Sequence, residues 1–228
     1  MDKSARKLSF KPFDEKAELR IYYNGFLPHW RQNGCTYFVT FRTADSIPKP
    51  VVDQWREERR RWLAARGIND DVESWSCEVS KLSKADREIF NRHFARKLFL
   101  KLDECHGKCI FRDPKFAQIV AEAVRYFDRQ RMNVGDFVIM PNHVHALLTP
   151  LAPDELEDIL HSIKSFSANK INQEIGGSGT FWKNESHDHL VRDSEELLRI
   201  QKYIRANPAK ANLHEGQFLL ECRDYLTD

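Results

Sequence analysis

The sequence has no long apolar run, and this argues against a helix that crosses a bilayer, which takes roughly 20 consecutive apolar residues. The N-terminal MDKSARK also lacks the apolar centre of a secretory signal peptide. With 31% charged residues, the chain has the composition of a protein with a hydrated surface. We therefore expect a cytoplasmic protein without a membrane partner.

Cysteine is scarce: the chain has five, an odd number, spread over the sequence. This pattern excludes a disulfide framework and is typical of reduced thiols. The tightest group is Cys105-His106-x-x-Cys109, but a zinc knuckle needs a fourth ligand at a recognisable spacing, which the sequence does not supply. Structural zinc is the weaker interpretation of this group.

An excess of charge of one sign is also missing, since 36 Lys and Arg nearly balance 34 Asp and Glu. A globally basic nucleic-acid binder is therefore not indicated, although local patches stay open. The densest basic run, residues 56–66, is mixed with glutamates and predicts a solvated helix face with i,i+4 ion pairs. Phosphate contact is the second interpretation of that run.

What the chain does have is enough apolar sequence for one sizeable core, with 228 residues, 41% of them hydrophobic. Periodicity predicts strands at 36–43, 137–140 and 143–149, and helices at 51–65, 83–102, 115–130, 156–175 and 194–207. Pro141-Asn142 predicts a tight turn, which makes the strands on either side of it an antiparallel hairpin. This favours an α+β fold, with helices packed on an antiparallel sheet, over a doubly wound parallel fold.

Three helix ends carry explicit signals. Asp154 with Glu157, and Asp193 with Glu196, resemble capping boxes at helix starts. Pro208 predicts that the last helix ends near Asn207, because the residue before a proline disfavours helical geometry.

The strand after the Pro-Asn turn contains two histidines separated by one residue, His143 and His145. Alternate side chains of a strand point to the same face, so the two imidazoles project together. Two neutral imidazoles this close form a bidentate site for a divalent cation, and Asn142 or Thr149 is placed to orient them. The alternative is a pair of histidines buried for packing alone.

In the last helix, Tyr203 and Asn207 lie one turn apart on one face, beside an apolar stripe that includes Ile200 and Ile204. A tyrosine in this position can simply cover the edge of the core, with its hydroxyl in water. The sequence blocks around it supply a second interpretation.

The run YIRANPAKANL at 203–213, together with PNHVH at 141–145 and FWKNESHDHLVRD at 181–193, resembles the REP-associated tyrosine transposases. These are single-tyrosine members of the HUH endonuclease superfamily, named for a His, bulky apolar residue, His motif. Two further blocks, FLPHWRQNGCTYFVTFRTADSIP and LHSIKSFSANKIN, extend the resemblance over residues 28–213. His187 and Asn212 depart from the family pattern, where an aromatic residue and a glycine are usual, and neither departure removes a catalytic group.

The resemblance implies a ferredoxin-like HUH fold, in which a central antiparallel sheet carries packed helices and a helical insertion follows the first strand. The implied organisation is an N-terminal arm over 1–27, one domain over 28–213 and a C-terminal tail over 214–228. The insertion is expected at about 50–110.

The resemblance also implies a chemistry. Tyr203 is the expected nucleophile, forming a 5′-phosphotyrosine link and releasing a 3′-hydroxyl, while His143, His145 and Asn207 are the expected ligands of Mg²⁺ or Mn²⁺. The expected substrate is single-stranded DNA with a REP-type hairpin, met in the nucleoid of a bacterial cytoplasm by a monomer or a homodimer. Six basic residues are candidate DNA contacts: Lys164, Lys170, Arg192, Lys202, Arg205 and Lys210.

Two other functions stay open. A hairpin-binding regulator or maintenance protein of the same fold would not transfer strands. A replication or conjugation initiator shares the HUH motif, but the sequence lacks a helicase-type phosphate loop, and this weighs against it.

Overall fold

The structure is a computed structural model, and it describes residues 7–23, 28–69, 78–79 and 81–226. Its strands are β1 Leu8–Ser9, β2 Arg20–Tyr23, β3 Pro28–Arg31, β4 Tyr37–Arg42, β5 Met132–Met140, β6 His143–Pro150, β7 His187–Leu190, β8 Leu219–Glu221 and β9 Tyr225–Leu226. Its α-helices are α1 Lys49–Ala64, α2 Lys84–Asp103, α3 Pro114–Tyr126, α4 Leu156–Glu174 and α5 Ser194–Lys210, with a 3₁₀ turn at Ile110–Arg112. Within these ranges, no helix is both long and apolar enough to cross a membrane.

Five strands form the central sheet in the order β7-β4-β6-β5-β8, and all neighbouring pairs are antiparallel. The predicted hairpin at Pro141-Asn142 joins β5 to β6, and the predicted α+β fold class is confirmed. Strand β5 begins five residues earlier than predicted, at Met132, and has an irregularity between Val134 and Phe137. The intervening glycine and aspartate are poor strand formers, which hid this half of the strand from its sequence pattern.

The two faces of the sheet carry different helices. On one face, Tyr37, Val39 and Phe41 of β4 belong to the larger core, with residues of α3 and α4. On the other face, Phe38 and Leu147 pack in a smaller core that includes buried residues of α5. Alternate residues of a strand share a face, so His143 and His145 lie on the same face as Leu147, toward helix α5.

Helices α1 and α2 follow β4, and they have a small core of their own that contains Leu63, Phe90 and Phe94. The predicted helical insertion after the first strand of the sheet is thus confirmed. Much of the loop expected at 67–80 lies outside the described residues.

The segments outside 28–213 pair with the rest of the fold. Strand β8 is the edge strand of the central sheet beside β5, and β9 pairs in parallel with β1. The boundaries expected at 27/28 and 213/214 remain a prediction.

Two of the three helix-end signals need correction. Asp154 does not cap α4: the cap position is Glu155, with no side-chain cap bond, and Asp154 pairs with Arg131 at 2.6 Å instead. Helix α5 does not end at Asn207 but continues to Lys210 with Pro208 inside it. Burial of Asn207 and Pro208 overrides the local preference there. The Asp193 cap is confirmed, since its carboxylate accepts the backbone N–H of Glu196 at 2.7 Å.

Candidate metal and nucleophile site

The first and third residues of β6 form the centre of the site. His143 and His145 are fully buried, and their Nε2 atoms lie 3.1 Å apart. Strand alternation puts both rings on one face, as the sequence predicts. Two ring nitrogens therefore converge on one point beneath helix α5.

Each imidazole is oriented through its other nitrogen. His143 Nδ1 donates to Asn142 Oδ1 at 2.7 Å, and His145 Nδ1 lies 2.7 Å from Thr40 Oγ1. Of the two residues predicted to orient the rings, Asn142 does so, whereas Thr149 pairs with Thr36 instead. With Nδ1 engaged, each ring is left with Nε2 as its outward-facing ligand atom.

Burial keeps both imidazoles neutral. It lowers the pKa of His143 to about 3, and it lowers the pKa of His145 well below its ordinary value, with the neighbouring His143 adding to the effect. Neutral imidazole has a free lone pair, which is the form that binds a metal ion. Near neutral pH the pair is therefore ready to act as a ligand.

Tyr203 reaches this pair from helix α5. Its hydroxyl lies 3.4 Å from His145 Nε2, and its ring stands edge-on to Phe38 at 6.0 Å. Burial raises the pKa of the phenol above its usual range, and the carboxylate of Asp103 raises it further. In the metal-free chain, Tyr203 is therefore a neutral phenol at physiological pH.

Asn207 is fully buried one turn after Tyr203. Its amide nitrogen donates to Asp103 Oδ1 at 3.3 Å, while its Oδ1 atom is buried and has no hydrogen-bond partner among the described residues. A buried amide oxygen without a partner is unfavourable unless something outside the chain pairs with it. This orphaned oxygen fits a cation ligand.

Asp103 is the residue that sequence reasoning missed. It is the last residue of α2, and its carboxylate and the ring nitrogens of His143 and His145 all lie within 4.8 Å of one another. Burial raises the pKa of Asp103, and the Asn207 amide and the Lys210 charge oppose that shift. No motif surrounds it; the packing of the inserted helix against the sheet brings it to the site.

Of the six predicted DNA contacts, four have no ion pair with a carboxylate in the described structure, and two do. Lys210 lies over the Tyr203 ring at 4.5 Å, and Arg192 and Lys202 are exposed on or just before α5. Lys164 is partly buried and donates to the carbonyl of Asn184 at 2.8 Å.

The remaining two basic residues are held in ion pairs. Arg205 pairs with the buried Asp136 at 2.7 Å, and Lys170 pairs with Glu122 at 3.3 Å on helix α3. Helix α3 packs on the sheet face away from the histidines, so Lys170 has the weakest case as a contact.

The site thus joins a strand-borne His-Val-His pair to a tyrosine on helix α5. In a comparison with known families, residues 108–207 match the family model "Transposase IS200 like". That segment spans less than half of the chain but carries the histidines, the tyrosine and Asn207. The resemblance to transposases is thus confirmed over these residues.

Other comparisons give little more. No curated protein matches the sequence significantly. One similar solved structure is that of a REP-associated tyrosine transposase bound to a REP hairpin, 14% identical, with a TM-score of 0.44, covering 85% of this chain and 75% of that one.

Proposed function

We propose that this protein is a metal-dependent single-stranded DNA endonuclease and strand transferase of the REP-associated type. The observation that carries the proposal is the 3.4 Å approach of the Tyr203 hydroxyl to His145 Nε2, beside two ring nitrogens and the Asp103 carboxylate that lie within 4.8 Å of one another. A packing role explains neither the converging nitrogens nor the orphaned oxygen of Asn207. The combination suits a nucleophile beside a cation.

The proposed cation ligands are His143, His145 and Asn207, and the structure adds Asp103 as a fourth candidate. Carboxylate and amide oxygens suit Mg²⁺ or Mn²⁺, and imidazole suits Mn²⁺ better than Mg²⁺. A bound cation would neutralise charge on a non-bridging phosphate oxygen. Within the protein, Asn142 and Thr40 hold the imidazoles in the orientation this requires.

Tyr203 is the proposed nucleophile. Its oxygen forms a bond to phosphorus while the bond from phosphorus to the 3′-oxygen breaks, which leaves a 5′-phosphotyrosine and a free 3′-hydroxyl. A phenol with a pKa of about 10 costs on the order of 4 kcal/mol to ionise at pH 7, and burial increases that cost. A hydrogen bond from the Asn207 side chain offsets part of it.

The covalent link conserves the energy of the phosphodiester bond. Attack by another 3′-hydroxyl on the phosphotyrosine restores a DNA strand and frees Tyr203, without ATP. This reversibility suits strand transfer better than simple hydrolysis. The hairpin substrate, the bacterial cytoplasmic setting and a monomeric or dimeric state are proposed from the sequence blocks that resemble the REP-associated family.

The test is adduct formation with labelled single-stranded hairpins taken from palindromes that flank the gene, in Mg²⁺ or Mn²⁺. A protein-DNA adduct that survives denaturing electrophoresis is expected, with a loss of at least about 10³-fold in Tyr203→Phe. Tyr126→Phe is the matched control, since Tyr126 is 67% exposed on helix α3. An undiminished adduct in Tyr203→Phe would remove this residue from the role.

The same experiment separates the alternative. Tight hairpin binding without an adduct, in either metal, would favour a regulator or maintenance protein of this fold. His143→Ala and His145→Ala should lose the adduct while keeping hairpin affinity. An equal loss of both properties would mean that the histidines are structural.

A further inference from the structure

A pocket opens beside the metal centre, on the same face of the sheet. It is a cleft open to solvent on one side, walled by helices α1 and α2 and floored by β4 and β7. Neither Tyr203 nor the two histidines of β6 line it. The proposed chemistry therefore leaves this pocket without a role.

The strand register fixes its distance from the centre. Thr40 lies opposite His145 on one side and opposite His187 on the other, so these three residues form a row across β6, β4 and β7. Neighbouring strands are about 4.8 Å apart, which places the His187 end of the row about 10 Å from His145. This separation is within the length of a dinucleotide, so a DNA strand bound at the metal centre would reach the pocket with its next nucleotides.

The walls of the pocket are aromatic and apolar. Trp55 of α1 faces it from one side, and Phe94 and Leu98 of α2 from the other. Trp55 is only partly buried, so part of its ring stays available to a ligand. A partly open slot between aromatic and aliphatic side chains suits a flat ring, because base stacking needs no specific sequence.

The floor and rim carry polar groups. His187 Nδ1 is buried and has no hydrogen-bond partner among the described residues. Arg42, Arg56 and Lys183 also line the pocket, against the single carboxylate of Glu185. The charge balance is positive, and the orphaned imidazole nitrogen is suited to the polar edge of a base.

We propose that this pocket binds one unpaired nucleotide of the DNA strand beside the scissile phosphate. The base lies against Trp55 and Leu98 with its edge at His187, and the phosphate contacts Arg42 or Lys183. This proposal rests on the proposed function, because it assumes that the protein binds single-stranded DNA at the metal centre. It adds that the helical insertion, rather than the sheet alone, holds the substrate strand in place.

The test compares two probes of equal charge: an oligo-dT of about 12 nucleotides and an abasic phosphodiester chain of the same length. Fluorescence anisotropy is measured with the full chain in EDTA, so that the result is independent of cleavage. The wild type should bind oligo-dT about 5- to 100-fold more tightly. Trp55→Ala should lose most of this preference, Trp55→Phe should keep it, and Tyr126→Ala on the opposite side should not change it.

Equal affinity of the wild type for both probes would overturn the proposal, as would a parallel loss of both affinities in a folded Trp55→Ala. A second measurement needs no variant. Photocrosslinking of a 5-iodouracil oligonucleotide to the wild type should label Trp55, and labelling confined to other sites would exclude the pocket. If no adduct forms but the binding preference for oligo-dT depends on Trp55, the strand-transfer chemistry is wrong and the nucleotide pocket is supported.

Discussion

Among the described residues, the buried groups around His143 on β6 and around Asp188 on β7 lie only two strands apart and differ in how their polar atoms are paired. In the first, at His143 and His145, the two Nε2 atoms converge, and the nearby buried oxygen of Asn207 has no hydrogen-bond partner among the described residues. In the second, at His29 and Asp188, charged groups are paired with one another. Burial alone therefore does not distinguish a binding site from a structural network.

The second cluster satisfies itself. Asp188 of β7 bonds to His29 Nδ1 and to Arg31, including a 3.0 Å bond from Arg31 Nη2, and Arg31 also bonds to Glu157 of α4. Burial opposes ionisation of Asp188, but His29 and Arg31 hold the pKa of its carboxyl below the usual range. The network ties β3 and α4 to the edge strand β7. Removing one partner should therefore affect folding, whereas removing a ligand at the first cluster should affect binding.

The largest effect should come from breaking the paired cluster. In Asp188→Asn, the buried Arg31 loses its main counter-charge, and we expect the free energy of unfolding to fall by about 3–5 kcal/mol. Urea denaturation measures this change. Asp158→Asn, an exposed carboxylate on α4, is the control and should stay within about 0.5 kcal/mol of the wild type. A near-neutral Asp188→Asn would show that the network contributes specificity rather than stability.

The next effect tests the group around His143 and His145. Mn²⁺ at about 100 times its Kd should stabilise the native chain by about 2.7 kcal/mol, seen as a higher melting temperature that EDTA reverses. His143→Ala should abolish the shift, whereas His161→Ala, an exposed histidine on α4, should keep it. If His143→Ala retains the full shift, the metal binds elsewhere, and the group around His143 is not a binding site.

Acid should separate the clusters by pH. Burial lowers the folded-state pKa of His143 to about 3 and of His187 to about 4, so below their ordinary 6.5 the unfolded chain binds more protons. Stability is then present above pH 6.5 and falls between 6.5 and about 4, by about 1.4 kcal/mol per pH unit for each such histidine. The lowered pKa of Asp188 has its effect at lower pH: its stabilisation is lost as the pH falls from about the ordinary carboxyl value of 3.8 toward the folded-state pKa.

The measurement is the unfolding free energy of the metal-free chain from pH 7 to pH 5. His143→Gln should give a flatter curve than the wild type, because one buried titrating group is gone. His161→Gln should leave the slope unchanged. A curve that is already flat in the wild type would mean that the imidazoles are solvated and can be protonated in the native state.

Sequence patterns predicted the half of the site that depends on local geometry. The spacing of His143 and His145 fixes a shared face in any strand, and the spacing of Tyr203 and Asn207 fixes a shared face in any helix. The hairpin followed from Pro141-Asn142, and the antiparallel sheet followed from the hairpin. Each of these inferences needed only neighbouring residues.

What the sequence could not predict depends on distant packing. Asp103 enters the site because an inserted helix ends there, about 40 residues before the histidines, and no local pattern marks it. The pairing of Asp188 with His29 and Arg31 joins strands far apart in sequence. Helix α5 passes through Pro208 because buried contacts outweigh a local preference.

The smallest effect tests whether a residue that orients a metal ligand affects metal binding, as the ligands themselves should. Thr40 and Thr36 are both buried on or beside β4, but Thr40 Oγ1 contacts His145 Nδ1 at 2.7 Å and Thr36 Oγ1 contacts Thr149 at 2.9 Å. A hydrogen bond of this kind contributes about 1 kcal/mol, so Thr40→Val should weaken Mn²⁺ binding about fivefold in calorimetry. Thr36→Val should lose similar stability with no change in Kd. Equal Kd values in the two variants would mean that packing alone holds the His145 ring. The hydrogen bond from Thr40 would then make no contribution to metal binding.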